Sequence, residues 1–498
     1  MKYCLLTGAT GLLGRYLMRD LLLRDVPLVV LVRPSRYETA EERVDAVLRH
    51  WEEQWQRWLP RPVVFAGDIN EPNLGLSEEQ CRWLEQHCDR VLHSAASLAF
   101  QQEGEEPWRS NVDGLKNVLN FCEVNSLREF LHVSSCYVCG LRTGTVRENE
   151  RDVGQKFGNI YEESKAYGES LVEGADFLDR YTIFRPSIIV GDSETGFSTT
   201  FHGFYTPLRL LSAIASFVPH DTLFSIDHMQ NLGLQGYERK NFVPVQWVSD
   251  AMVTLMERES PRNRTFALAM SSPVTVDRMY KQFEKAIRTF QRNAGPALDN
   301  QSELDFESPE VQAMVGTYLE SFAVYQSYWR DDPVFDLTNT KQVIPDKMAP
   351  ELTDEHLLKL CQYAIDAQFS WIPRRSTESE FVARDYFRRS LDDAWDNRAE
   401  LGTAGRATLE LTITGPGGGC WSLSTRGNDL ICVKGAIGGD SKARLSSSTF
   451  RELVSNELTF KDAIACGRLM VCGVPEGVEL LSKFLASSSV RSPVTSLG

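Results

Sequence analysis

Glycines recur at every third residue in Gly8-Ala9-Thr10-Gly11-Leu12-Leu13-Gly14, directly after the apolar run from Tyr3 to Leu6. A strand that enters such a turn and leaves it as a helix has few uses. Gly8 lets the chain turn tightly, Gly11 lets backbone approach a pyrophosphate, and Gly14 lets the helix pack on the strand. The start of the helix then offers unpaired N–H groups to an anion. Thr7, Gly8, Thr10, Gly11, Leu12, Leu13 and Gly14 are therefore the expected phosphate cradle of a dinucleotide site.

The pattern continues down the chain. Residues 28–32 suit a fully buried parallel strand, and 63–65, 90–93, 130–133 and 182–184 read as further strands with helical stretches between them. This alternation predicts an α/β fold, a doubly wound parallel sheet with right-handed crossovers. Ligands of such sheets lie beyond the carboxyl ends of the strands. Trp51, Trp55 and Trp58 have helical spacing and read as a packing face. From 191 onward the alternation loosens, as in a substrate-binding half built from insertions, and 303–370 reads as helical and aromatic-rich. Residues 374–400 are charged and poor in aliphatics, as connecting segments are. After Gly402 come short strands at 407–414, 420–425, 430–436 and 442–445, then helices at 447–454, 459–466 and 475–485. Strands first and helices after predict a separate α+β domain. The expected division is residues 1–372, a linker 373–402, a second domain 403–490 and a frayed tail 491–498.

Composition narrows the function classes. A chain of 498 residues exceeds one ordinary core. Its 42% hydrophobic and 24% charged residues are those of a soluble globular protein. The net charge of −15 argues against broad nucleic-acid binding. Residues 401–498 hold ten Lys and Arg against eight Asp and Glu, and that +2 leaves −17 on the first 400. No secretory leader is expected ahead of a strand that begins at Tyr3. No apolar run reaches about 18 residues, so no membrane span is expected. Eleven irregularly spaced cysteines suit reduced thiols in a cytoplasm. Cys136-Tyr137-Val138-Cys139 reads as a buried strand, which speaks against zinc or redox use, and the eight histidines show no ligand spacing.

The chemistry gathers around Tyr161-Glu162-Glu163-Ser164-Lys165. On a helix, Tyr161 and Lys165 share one face. An ammonium beside a phenol favours the phenolate and is expected to lower the tyrosine's pKa. Such a tyrosine gives a proton to an oxygen that receives hydride. Ser134-Ser135 ends the fifth strand, where a hydroxyl can bind the reacting carbonyl. Asn111 opens an expected helix, where its amide can hold a water in a relay to Lys165.

This set resembles the extended branch of the short-chain dehydrogenase/reductase superfamily over roughly residues 1–370. The resemblance implies Ser135, Tyr161, Lys165 and Asn111 as catalytic residues. It implies cofactor contacts from the glycine turn, from Tyr161 and Lys165, and from four later blocks. Leu31-Val32-Arg33-Pro34 ends the second strand with Arg33, where NAD-preferring folds place an acid, so NADP(H) is implied. Asp68 and Ile69 resemble the adenine-side loop. Ser94, Ala95 and Ala96, after His93, resemble the small-residue turn under the nicotinamide. Pro186, Ser187 and Ile188 follow Arg185 in a block that runs to Ser193. That block and Pro244-Val245 are similar to fatty acyl-CoA reductases and to the terminal thioester reductase domains of carboxylic acid reductases and of peptide or polyketide synthetases. Pro333-Val334-Phe335-Asp336 and Tyr363-Ala364-Ile365-Asp366 are fainter likenesses to the same enzymes.

The implied activity is NADPH-dependent reduction of an acyl thioester, on coenzyme A or on a carrier protein, to an aldehyde or further to an alcohol. A dehydrogenase of a lipid or sterol alcohol or ketone is the alternative. A non-catalytic lipid carrier with a cofactor-sensing half is another, against which Ser135, Tyr161 and Lys165 count. Residues 404–490 resemble the sterol carrier protein type-two fold through Leu445 to Phe450 and Thr459 to Gly473. That resemblance implies a bound lipid. Phe450, Leu453, Val454, Phe460 and Ile464 would line a tunnel or form plain core.

Overall fold

The computed structural model of the chain describes residues 2–35, 38–55, 59–99, 105–215, 220–224, 233–258, 263–294, 327–370, 386–387, 408–414, 419–426, 429–435, 441–455, 457–465, 469–473 and 480–482. Contacts divide the chain into two compact units. The first comprises residues 1–204, 227–286 and 324–364, and the second residues 205–226, 287–323 and 365–498. Trp58, residues 303–326, nearly all of 373–402 and the tail 491–498 lie outside the described residues.

The first unit is built on β1 (Tyr3–Thr7), β2 (Leu28–Val32), β3 (Val63–Ala66), β4 (Cys88–His93), β5 (Glu129–Val133), β6 (Thr145–Val146), β7 (Arg180–Pro186), β8 (Ile188–Val190), β9 (Arg239–Lys240), β10 (Phe242–Pro244), β11 (Arg264–Leu268), β12 (Val274–Thr275) and β13 (Val334–Phe335). Seven of these form one sheet in the order β11-β7-β5-β4-β1-β2-β3. Every neighbouring pair in it is parallel. The expected doubly wound sheet is thus present. Its seventh strand, β11, falls in the region where the sequence pattern loosens. Three two-stranded pairs, β8 with β10, β9 with β12 and β6 with β13, complete the unit.

Helices α1 (Leu12–Leu23), α2 (Ala40–Trp55), α3 (Glu78–His87), α4 (Gly114–Val124) and α5 (Ile160–Glu173) fall between the strands. Central strands buried on both faces need continuous apolar runs, and Leu28–Val32 is buried at all five positions. Leu5, Val29, Val91, Val118, Phe130 and Ile183 belong to one apolar cluster that joins strands to helices. Burying such side chains contributes about 1.5–3 kcal/mol each. Helix ends follow local rules. Ser77 and Gln80 form a capping box at the start of α3. Asn159 Oδ1 caps α5 by accepting the Glu162 N–H at 3.0 Å. On α2, Trp51 is buried against Tyr16, whereas Trp55 is partly exposed.

Two local expectations are corrected. Cys136–Cys139 is a 3₁₀ turn rather than a strand. Ser135 ends the strand by turning its own hydroxyl onto the Tyr137 N–H, so the apolar run past Val133 coils instead of extending. Asn111 stands in a π-helical turn, Arg109–Asp113, that leads into α4. Such bulges carry one extra residue per turn and re-aim a side chain.

The second unit contains β14 (Thr408–Thr414), β15 (Gly419–Arg426), β16 (Asp429–Lys434), β17 (Ser441–Ser446) and β18 (Leu469–Gly473), in the sheet order β16-β15-β14-β17-β18. Helices Ser447–Val454 and Phe460–Ala465 follow the fourth strand. Phe450 and Leu453 are buried in its core, with Val454, Phe460 and Ile464 packed against them. Phe387, from the stretch expected to connect domains, is fully buried there. Its ring stacks on Trp421 at 4.5 Å and on Phe450 at 5.5 Å.

Candidate active site

Because the sheet is parallel, the carboxyl ends of β1, β2, β3, β4, β5 and β7 share one edge. Thr7, Arg33, Asp68, Ser94, Ser135 and Pro186 all stand at or just past those ends.

The glycine turn is shaped by contact. Gly8 has φ +74°, and a Cβ there would lie 2.6 Å from the Ala95 nitrogen. A Cβ on Gly14 would lie 1.9 Å from the Gly8 carbonyl oxygen. Gly11 is the N-cap of α1, and the cap has no side-chain hydrogen bond. The first turn holds no acidic residue. A helix start of this kind suits a pyrophosphate. Thr7 locks the turn to its neighbour strand. Its Oγ1 shares a hydrogen bond with His93 Nδ1 at 2.9 Å and accepts the Ala95 N–H at 3.2 Å. Burial pushes the His93 imidazole down to about 3, so the ring is neutral.

At the adenine side, Arg33 is largely exposed and lies 3.5 Å from the Asp68 carboxylate. Arg43 of α2 reaches the same place. It donates to the Arg33 carbonyl, and its Nη2 donates to Thr10 Oγ1 at 3.1 Å. Nothing in its spacing announces this guanidinium, which is brought in by the packing of α2. Ile69 is buried, and Asp68 Oδ1 accepts the Asn70 N–H at 3.0 Å.

At the other end, Ser135 and Tyr161 share a side-chain hydrogen bond. Burial pushes the Tyr161 phenol up to about 12, although the bond to Ser135 works the other way. This overturns the expectation of a lowered phenol. Lys165 Nζ donates to the Val133 carbonyl at 2.9 Å, and burial pushes the amine down to about 8. Both amide hydrogens of Asn111 are engaged. Its Oδ1 accepts the Ser97 N–H at 2.8 Å, and its Nδ2 donates to the Ser97 carbonyl at 3.1 Å and to Ser164 Oγ at 3.0 Å. Ser187 Oγ donates to Asn241 Oδ1 at 2.9 Å, and the Ile188 N–H donates to the Asn241 carbonyl at 3.1 Å.

One supporting pair escaped the sequence reading. Arg185 donates from Nε and Nη2 to both Glu169 carboxylate oxygens at 2.8 and 2.6 Å, and both side chains are buried. This bidentate pair ties the end of β7 to α5. Glu169 lies four residues after Lys165, so its helical face was legible in the sequence, but its partner was not.

No cluster of metal-binding side chains occurs among the described residues, and no described helix is long and apolar enough to cross a membrane.

Comparison with known proteins agrees with this geometry. The male sterility protein family, an NAD-binding domain, matches residues 6–252. The chain is 33% identical over 218 residues to the L-2-aminoadipate reductase large subunit of Penicillium chrysogenum, a match covering 39% of this chain and 15% of that one. It is 32% identical over 207 residues to the nonribosomal peptide synthetase-like enzyme fsqF of Aspergillus fumigatus, covering 38% and 14%. The chain therefore spans a small part of the length of these relatives. The crystal structure of the terminal R domain from the myxalamid PKS-NRPS biosynthetic pathway superposes with a TM-score of 0.56 at 24% identity, covering 75% of this chain and 93% of that one, and so shares the fold. Over residues 6–252, just under half of its length, the chain is thus similar to the male sterility protein family, an NAD-binding domain, on a parallel sheet of the kind that the terminal R domain also has.

Proposed function

We propose that this protein uses NADPH to reduce an acyl thioester, carried on a carrier protein or coenzyme A, to an aldehyde. The observation that carries the reading is the hydrogen-bonded pair Ser135 and Tyr161, with Lys165 one helical turn on, at the sheet edge that also bears the glycine turn. The thioester assignment is supported by the relatives, which include an aminoadipate reductase and a synthetase-like enzyme.

The cofactor, when bound, supplies the hydride to the carbonyl carbon. Its pyrophosphate would rest on the turn from Gly8 to Gly14 and the start of α1, and its 2′-phosphate between Arg33 and Arg43. Ser135 and Tyr161 bind the carbonyl oxygen, and their hydroxyls stabilise the charge that develops there. Tyr161 gives its proton to that oxygen, and the Lys165 ammonium favours the phenolate left behind. A phenol that rests protonated is the right state for a proton donor. Asn111 holds the Ser97 segment against α5 through Ser164, rather than offering a free amide to water. The resulting hemithioacetal collapses as the C–S bond breaks. The hydroxyl returns its proton to the Tyr161 phenolate as the carbonyl re-forms to give the aldehyde, and the thiolate leaves and takes up a proton from water.

The second unit would handle the acyl chain, through apolar side chains such as Phe450, Leu453 and Phe460. Displacement of a fluorescent fatty acid from the full chain tests that part. The main test is a cofactor assay. Protein given NADPH and a long acyl thioester should oxidise the cofactor and release free thiol in equal amounts. Oxidation with a ketone but with no thioester would replace this reading with a lipid dehydrogenase.

A further inference from the structure

Asp332 stands in the first unit, 195 residues after Tyr137, and is 5% exposed. Its carboxylate accepts three hydrogen bonds. Tyr137 Oη donates at 2.7 Å, Lys240 Nζ at 2.5 Å and the Asn241 N–H at 2.8 Å. Each of the two uncharged donors leads to a different strand end of the candidate site. The Tyr137 N–H donates to Ser135 Oγ at 3.1 Å. Asn241 Oδ1 accepts from Ser187 Oγ at 2.9 Å and from the Met270 N–H at 2.9 Å. One carboxylate thus bears on the loop after β5 and on the loop after β7.

The residues around Asp332 reinforce the same contacts. Arg330 Nη2 donates to the Gly140 carbonyl at 2.8 Å, which fixes the far end of the turn that Ser135 opens. Lys240 Nζ also donates to the carbonyl of Tyr328 at 2.9 Å. Asn159 Nδ2 donates to the Tyr328 phenol at 3.0 Å, and Asn159 is the cap of α5, two residues before Tyr161. The stretch from Tyr328 to Asp332 therefore pins three separate elements that carry Ser135, Tyr161 and Ser187. An ion pair buried this deeply adds little net stability compared with apolar packing, but it fixes geometry because a displaced charge finds no water.

We propose that Asp332 is a positioning residue, whose carboxylate holds Ser135 through Tyr137 and Ser187 through Asn241 where the reaction needs them. The inference rests on the functional reading above. Asp332 touches no reacting atom.

The test uses the full chain with two substitutions. Asp332→Asn leaves the Lys240 ammonium without a counter-charge and endangers the fold. Tyr137→Phe keeps that ion pair and removes only the phenol hydroxyl, so it is the decisive variant. It should bind NADPH within about threefold of the unsubstituted protein and lose about 10–100-fold in kcat with an acyl thioester, with KM little changed. Amide hydrogen exchange over residues 134–140 should quicken about tenfold as the turn loosens. A merely structural role predicts lower melting temperature with kcat intact, and that result overturns the proposal. Unchanged exchange at 134–140 also overturns it, whether or not any thioester is reduced. Should the unsubstituted protein reduce no thioester, the functional reading falls alone, and exchange still decides whether Asp332 holds the turn.

Discussion

In the first unit every neighbouring pair of the seven-stranded sheet is parallel, whereas in the second three of the four pairs are antiparallel. A parallel sheet returns each chain through a helix, so the turns that leave its strands collect along one edge. Polar side chains from distant parts of the sequence converge there without any of them having to cross the core. The second unit splits its turns between both ends. Its interior holds Phe387, Trp421 and Phe450 in a stack, a centre built for contact rather than for proton transfer. The difference teaches where chemistry can be assembled. It predicts that single polar atoms matter most in the first unit and ring volume matters most in the second.

The largest test of that contrast is Tyr161→Phe. Loss of one oxygen should lower kcat by about 10³-fold, within the range for a lost general acid, while NADPH affinity measured by fluorescence stays unchanged. A variant that keeps its rate would remove the polar edge from the mechanism and leave the two units alike.

Next comes Phe387→Ala. Deleting a fully buried ring that stacks on two others should destabilise the second unit by about 3 kcal/mol, read by urea unfolding followed through Trp421 fluorescence. The kcat for thioester reduction at saturating substrate should stay within about twofold in the same variant, because the core it damages carries none of the reacting groups, whereas any change in acyl binding shows in KM. A parallel loss of reduction would show that the division of labour is wrong.

A smaller effect is expected of Arg43→Ala. The guanidinium sits between Thr10 and the Arg33 carbonyl, so its removal should weaken NADPH about tenfold and NADH hardly at all, as titration calorimetry would show. Equal losses would mean that Arg43 only braces the glycine turn.

What the sequence could and could not tell follows the same physics. Leu28–Val32 was legible as a strand because a parallel strand covered on both faces must be apolar along its length, and four further runs down to Phe184 were legible from their alternation with helical stretches. Arg264–Leu268 is as parallel as the rest, but it follows long insertions and so lost the regular strand-helix beat that exposed the others. Tyr161 and Lys165 were legible because helical spacing is a property of the local chain. Arg43, Asp332 and the bond from Thr7 to His93 were not, because each depends on which elements pack together. The direction of the Tyr161 shift was misjudged for a related reason. Spacing puts an ammonium on the same helical face, but not where it points or how deeply the phenol is buried: Lys165 Nζ turns to the Val133 carbonyl, and burial, with the Glu162 carboxylate, pushes the phenol up.

The finest test concerns pH, and it separates loss of charge from loss of fold. Burial holds Lys165 at about 8, while Tyr161 lies near 12, so only the lysine titrates between pH 7 and 10 within this pair. The ammonium favours the phenolate, hence kcat/KM should fall with unit slope above about pH 8 and change less than about twofold below pH 7.5. Stability moves the other way. In the unfolded chain a lysine holds its proton up to about 10.4, so between about pH 8 and that value the unfolded state binds the extra proton. The contribution of Lys165 to folding stability therefore rises with pH over the window in which the rate declines. Buried thiols such as Cys4 and Cys122, which burial pushes up, lower stability over the same window, so the lysine's share is read as the urea midpoint of the unsubstituted protein relative to Lys165→Arg, which should rise while the rate falls. In Lys165→Arg the charge persists beyond pH 12, so the alkaline limb should vanish at the cost of a lower rate throughout, since a guanidinium cannot reproduce the lysine's point contact with the Val133 carbonyl. An alkaline limb that persists unchanged in Lys165→Arg would take Lys165 out of the proton-transfer step.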